Sequence, residues 1–108
     1  MAKTPEGIIQ AYGMAELKKR GCLVRKIGYE GRRAAPDTLN FVPERRNRLG
    51  GWLRPFVLLI EYKADETIQP EEHQLREHER IRQHGGDVRV IGSKRQVDEL
   101  VKELFPCD

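Results

Sequence analysis

The sequence predicts one α/β domain spanning residues 1–108, a mixed sheet with helices packed on it, and three observations carry that reading. The apolar run "FVLLI" at 56–60 has the composition of a central strand, and shorter alternating segments near 23–27, 37–42 and 87–91 supply its neighbours. Three helical segments with their own start and stop signals fall between and after these strands, giving the order α-β-β-β-α-β plus a C-terminal helix. The length allows one modest core, and a composition of 38% apolar and 34% charged residues describes a folded domain with a heavily solvated exterior.

Taken in order, Thr4 and Pro5 open a first helix over about residues 5–20, and Gly21 closes it after a basic last turn. At about 100° per residue, Glu6 falls near Ile9, Gly13 and Leu17 on the face expected to pack, so Glu6 points inward or along the rim. Gly13 costs about 1 kcal/mol relative to Ala in a helix interior, which predicts that another element approaches closely there. "CLVRKIG" alternates Leu23, Arg25 and Ile27 against Val24 and Lys26 as a first strand, and "DTLNFV" puts Asp37, Leu39 and Phe41 on one side of a second. Between them and the third strand, "FVLLIEYK", residues 43–55 read as a loop around Gly50-Gly51. The unbroken apolar run predicts that the third strand is covered on both faces.

Pro70 opens a second helix with acidic residues in its first turn, Gly85 closes it, and its apolar side is thin, only Leu75 and Ile81. "DVRVIG" alternates Val88 and Val90 as a fourth strand. Ser93 and Gln96 form a capping box ahead of Val97, Leu100, Val101 and Leu104 in the last helix, which reads as a packing or dimerisation element.

The net charge is only +3, but residues 25–54 hold eight Lys/Arg against three Asp/Glu, while residues 61–84 hold four against seven. A basic end favours a polyanionic partner, although a charge run is also what an ordinary solvated face looks like. Cys22 and Cys107 belong to no metal-binding spacing and predict free thiols in a reducing compartment, Cys22 as a small buried residue. The start "MAKTPEGIIQ" lacks an apolar signal core, and no apolar run approaches the ~20 residues of a membrane helix, so a cytoplasmic protein with no membrane partner is expected.

The chemistry concentrates at the end of the third strand. Side chains alternate along a strand, so Glu61 and Lys63 project to one side and Tyr62 to the other. A surface ion pair is the plain alternative, and Glu16–Lys18 repeats the same spacing on a helix where the two do not face each other. Antiparallel pairing of the second and third strands sets Asp37 beside Glu61. Two adjacent carboxylates repel unless a cation lies between them, so the pair predicts a divalent metal. Carboxylate oxygens, the backbone carbonyl of Tyr62 and waters form the hard-oxygen set that suits Mg²⁺ or Mn²⁺. Lys63 alongside would hold water or neutralise charge developing on a phosphate.

Pro36-Asp37 followed by Glu61-Tyr62-Lys63, in this order of elements, resembles the PD-(D/E)xK nuclease superfamily and more closely its VRR-NUC domain. In that domain an early helical Glu precedes a helix-ending Gly, as Glu6 precedes Gly21. A Gln then stands in the helix after the E-x-K strand, and Gly closes that helix before a Val-rich strand, as Gln74, Gly85-Gly86 and "DVRVIG" do. The resemblance covers about residues 4–92. Two features depart from the pattern. The turn before Asp37 lacks the family's usual glycine, and Gln74 follows Pro70 by four residues, which leaves Gln69 as a rival.

The resemblance implies a restriction-endonuclease-like core and a Mg²⁺- or Mn²⁺-dependent endodeoxyribonuclease without a small-molecule cofactor. Asp37, Glu61 and Glu6 would hold the metal, and Lys63 and Gln74 would position water and phosphate. The stand-alone proteins of this type, many from bacteria and phages, imply a homodimer cutting branched DNA such as Holliday junctions. A non-catalytic nucleic-acid-binding module of the same fold, or a nuclease acting on linear DNA or RNA, is the alternative.

Several basic residues are candidates for nucleic-acid contact. Arg32 and Arg33 precede Asp37 at the metal end of the sheet, and Lys26 in the first strand is a candidate whose side the sequence does not fix. Arg45, Arg46, Arg48, Trp52 and Arg54 lie at the opposite end, ~17 Å away, too far for the chemistry but placed to grip a distant arm or stack on a base. His73, His78 and His84 have no ligand spacing and are expected at the surface.

Overall fold

The computed structural model describes residues 4–31 and 34–107. Helix α1, Pro5–Lys19, begins where the Thr4 hydroxyl accepts a hydrogen bond from the Gly7 amide at 3.0 Å. Strand β1, Leu23–Lys26, and strand β2, Thr38–Val42, follow. Two very short strands, β3 (Arg45–Arg46) and β4 (Trp52–Leu53), precede the long strand β5, Phe56–Tyr62. Helix α2, Glu72–Gln83, strand β6, Asp87–Ile91, and helix α3, Lys94–Leu104, complete the chain.

The architecture is a mixed sheet in the order β1-β2-β5-β6, antiparallel except for the parallel β5–β6 pair. Residues 43–55 are not simply a loop, as the glycines had suggested. They form a separate two-stranded ribbon, Arg45 opposite Leu53 and Arg46 opposite Trp52, because Gly50 at φ +86° lets the chain reverse there.

One face of the sheet carries the core. Val24, Val42, Leu58, Ile60, Tyr62 and Ile91 meet Ile9 and Leu17 of α1 and Val97, Leu100, Val101 and Leu104 of α3. The helix faces are those that the apolar spacing predicts, and Cys22 is buried among them. Thr38 and Asn40 share this face at 0% exposure, and the Asn40 amide donates to the Thr38 hydroxyl and the Leu58 carbonyl, both at 3.0 Å.

Coverage of the other face is partial, which corrects the expectation for the apolar run. Among the described residues α2 is the helix that lies there, against β6 and the Glu61 end of β5, so Val57 is exposed, as are its registered neighbours Phe41 and, beyond it, Leu23. The helix itself also differs from its sequence reading. Leu75 is half exposed, and the residues α2 buries are Glu77 and His78.

Gly13 is where α1 meets the sheet most closely. A Cβ built there would lie 2.3 Å from the Tyr62 phenol oxygen and 2.9 Å from its ring, so the helix sits directly on the ring of the residue between Glu61 and Lys63. Overpacking of this kind typically costs about 1–3 kcal/mol, against a gain of about 1 kcal/mol in helix propensity. Gly13→Ala is therefore expected to lower the urea midpoint, and adding Tyr62→Phe, which removes the closest atom, to recover part of the loss.

Candidate functional site

The register decides what stands at the end of β5. Thr38 pairs with Ile60, so Asp37 comes opposite Glu61, and the Asp37 amide donates to the Ile60 carbonyl at 2.9 Å. The Asp37 carboxylate in turn accepts from the Tyr62 amide at 2.6 Å. Backbone groups of β5 thus hold both the main chain and the side chain of Asp37, which gives the pair a rigid base.

Glu61 alternates with Ile60 and Tyr62 and so projects to the α2 side, where it is only 3% exposed. Its Oε2 accepts from the Gln74 amide at 3.4 Å, and the Gln74 Oε1 accepts from both the Lys63 ammonium at 2.8 Å and the Glu71 backbone at 2.9 Å. Gln74 therefore caps α2 and bridges Lys63 to Glu61 at once. It is this glutamine that the fold brings to the pair. Gln69 is exposed in the preceding segment, facing a different cleft beside Asp65 and Gln96.

Burial, then the neighbouring Asp37, pushes the Glu61 carboxyl up to about 8, with Lys63 opposing the rise. Glu6, half-buried on α1, adds a smaller push in the same direction. Among the described residues no group of three or more His, Cys, Asp or Glu converges in a metal-holding arrangement. Glu6 thus acts on Glu61 through its charge, and the carboxylates that meet are Asp37 and Glu61.

Two buried residues of α2, His78 and Glu77, complete the surroundings, and the sequence reading assigned neither of them to the site. His78, expected at the surface, is 1% exposed, and its Nε2 lies 3.5 Å from Glu61 Oε1. Burial, then Arg82 and Lys63, pushes its pKa down, with Glu77 opposing. Glu77 accepts from the Tyr29 hydroxyl at 2.7 Å, tying the turn ahead of Asp37 to α2. The signal for His78 was helical spacing, since it stands one turn after Gln74 and so shares its face.

The basic candidates divide. Lys26, whose side the sequence left open, pairs with Thr38 and so lies on the α1 side, beside Gln10 and Met14, and not on the face of Glu61. Arg32 and Arg33 lie outside the described residues. Arg46 stacks over Trp52 at 4.4 Å and Arg45 over Phe56 at 5.1 Å, while Arg45 Nη2 donates to the Arg54 carbonyl and Arg48 Nε to that of Pro106. Trp52 stays exposed, and the whole ribbon sits at the far end of the hairpin from Asp37 and Glu61.

The raised Glu61 carboxyl makes stability depend on pH in the metal-free protein. Its folded value lies above the ordinary 4.5, so its contribution is complete below about pH 4.5 and is lost as pH rises through about 8. Wild-type protein in chelator is therefore expected to lose melting temperature relative to Glu61→Gln as pH is raised from 5 to 9. A constant difference between the two across that range would contradict the assignment.

No family model matches the sequence, and no curated protein matches it. No helix is long and apolar enough to cross a membrane among the described residues. Among solved structures the chain is similar to one described as a VRR-NUC domain, at 44% sequence identity and a TM-score of 0.79, over 93% of this chain and 97% of that one. Likeness at this identity over nearly the full length of both chains carries more than a shared fold: this chain belongs to the VRR-NUC family of nuclease domains.

Proposed function

We propose that the protein is a Mg²⁺- or Mn²⁺-dependent endodeoxyribonuclease that acts as a homodimer on branched DNA such as Holliday junctions. The observation that carries this reading is the meeting of Asp37 and Glu61 as a partly desolvated pair with Lys63 and Gln74 alongside. Their donor set suits a hard divalent ion. The two carboxylates offer oxygens, and no thiolate is near, since Cys22 lies in the core on the other face. Asp37, Glu61 and the Tyr62 carbonyl would hold the ion, waters filling the remaining positions, with Glu6 adding negative charge nearby.

When bound, the ion supplies a water of lowered pKa and neutralises charge on the phosphate. The chain's own groups do the rest. The Lys63 ammonium, held in place by Gln74 Oε1, offers its remaining protons to a phosphate oxygen or to the attacking water. Gln74 sits in the first turn of α2, so a phosphate near its amide also meets the positive end of the helix.

Branched DNA and the dimer are supported by separate features. The Arg46–Trp52 stack and its neighbouring arginines offer a second contact region at a distance from the chemistry, as a multi-armed substrate requires. One such site cuts one strand, whereas a twofold pair of sites cuts two symmetrically, and the uncovered row Leu23, Phe41 and Val57 leaves apolar surface for a second copy.

The test is cleavage of labelled junction, splayed-arm, flap and linear duplexes with Mg²⁺ or Mn²⁺. Wild-type protein is expected to cut junctions preferentially, and Asp37→Ala and Lys63→Ala each to lose about 100-fold or more in rate. Undiminished cleavage by these variants would overturn the site, and preference for linear duplex would overturn the substrate. Light scattering after gel filtration is expected to give twice the chain mass.

A further inference from the structure

The buried side of Glu61 holds an anomaly that the reaction outlined above does not use. His78 and Glu61 are 1% and 3% exposed, and both ring nitrogens of His78 and Oε1 of Glu61 lack a hydrogen-bond partner. Unpartnered buried polar atoms are rare and costly, and two of these three meet at one contact, which points to a shared purpose. His78 Nε2 faces Glu61 Oε1 at 3.5 Å, while the other carboxylate oxygen, Oε2, takes the Gln74 amide at 3.4 Å. Both neighbours project from one face of α2, four residues apart, so the helix presents them to the carboxylate together.

We propose that His78 is a positioning residue for the metal site: its imidazole, protonated at Nε2, donates to Glu61 Oε1 and, with Gln74, fixes the plane of the carboxylate. The inference rests on the reading of Asp37 and Glu61 as metal ligands. A carboxylate that is clamped at both oxygens from behind keeps its free lone pairs aimed toward Asp37, where the ion would lie. Without the clamp, Glu61 can rotate about its last bonds, and ordering it again costs metal affinity. A hydrocarbon at position 78 would fill the same buried space but could not donate. Filling the core is therefore insufficient reason for a histidine there.

The test separates positioning from packing by measuring metal binding without DNA. Calorimetric titration of Mn²⁺ is done on wild type, Asp37→Ala, His78→Phe and His78→Gln, with near-ultraviolet circular dichroism confirming that each is folded. His78→Phe is expected to weaken Mn²⁺ by about 10- to 100-fold, as loss of an outer hydrogen bond to a ligand typically does, and His78→Gln, which keeps a donor, to restore most of it. Wild-type affinity in His78→Phe, or no recovery in His78→Gln, would overturn the inference and leave the metal site standing. Wild-type binding unaffected by Asp37→Ala, or no binding at all, would overturn the metal site as well. If His78→Phe does not fold, imidazole nitrogen shifts of the Mg²⁺-loaded wild type decide: a proton on Nε2 is expected, and protonation at Nδ1 alone would overturn the proposal.

Discussion

The pairing of β2 with β5 is the constraint on which the rest depends. A shift of one residue in that register would send Asp37 away from Glu61 and exchange the buried set Thr38, Asn40 and Val42 for Leu39 and Phe41. Burial holds the register, because Leu58, Ile60 and Val42 reach the core together only in this alignment. The buried Asn40 amide strengthens it with a bond across the pair to the Leu58 carbonyl. The hydrophobic effect, acting on one face, therefore places two mutually repelling carboxylates on the other.

Electrostatics would separate that pair if the scaffold were soft. The Asp37 carboxylate is tied by the Tyr62 amide, and the Tyr62 ring is wedged under α1 at Gly13, so that the residue between Glu61 and Lys63 is fixed on both sides of the sheet. On the opposite face α2 carries an unusually polar inner side, where Gln74 and His78 meet Glu61, and Glu77 holds the Tyr29 hydroxyl. The helix exchanges apolar burial for contacts with the site, which explains why its hydrophobic stripe is so thin. Its cost is reflected in the raised Glu61 carboxyl, a group that folding makes reluctant to ionise until a cation or a partner stabilises the charge.

Much of the fold was legible because its signals are local. The Thr4 and Ser93 caps, the glycine stops, the stripe Ile9, Gly13 and Leu17 and the run through Ile60 depend on residues a few positions apart. The expected order of elements differed from the observed one by the β3–β4 ribbon, where a tight glycine turn looked the same in sequence as an open loop. The covering of β5 was overread for a related reason: apolarity along a strand reports what it tolerates on each face, and α2 covers the Glu61 end of β5 while Val57 stays exposed.

For the site, the sequence by itself determined that a carboxylate and an ammonium share one side of a strand end, and that an antiparallel neighbour brings Asp37 to them. Alternation and pairing are properties of any strand, so they follow from the chain alone. Only the tertiary structure decided which glutamine joins them, that the charge of Glu6 adds to that of Asp37 on Glu61, that Lys26 faces the other way and that His78 is buried against Glu61. Those outcomes depend on how a helix is rotated and set down on a sheet, and that rotation is fixed by the packing of the whole core.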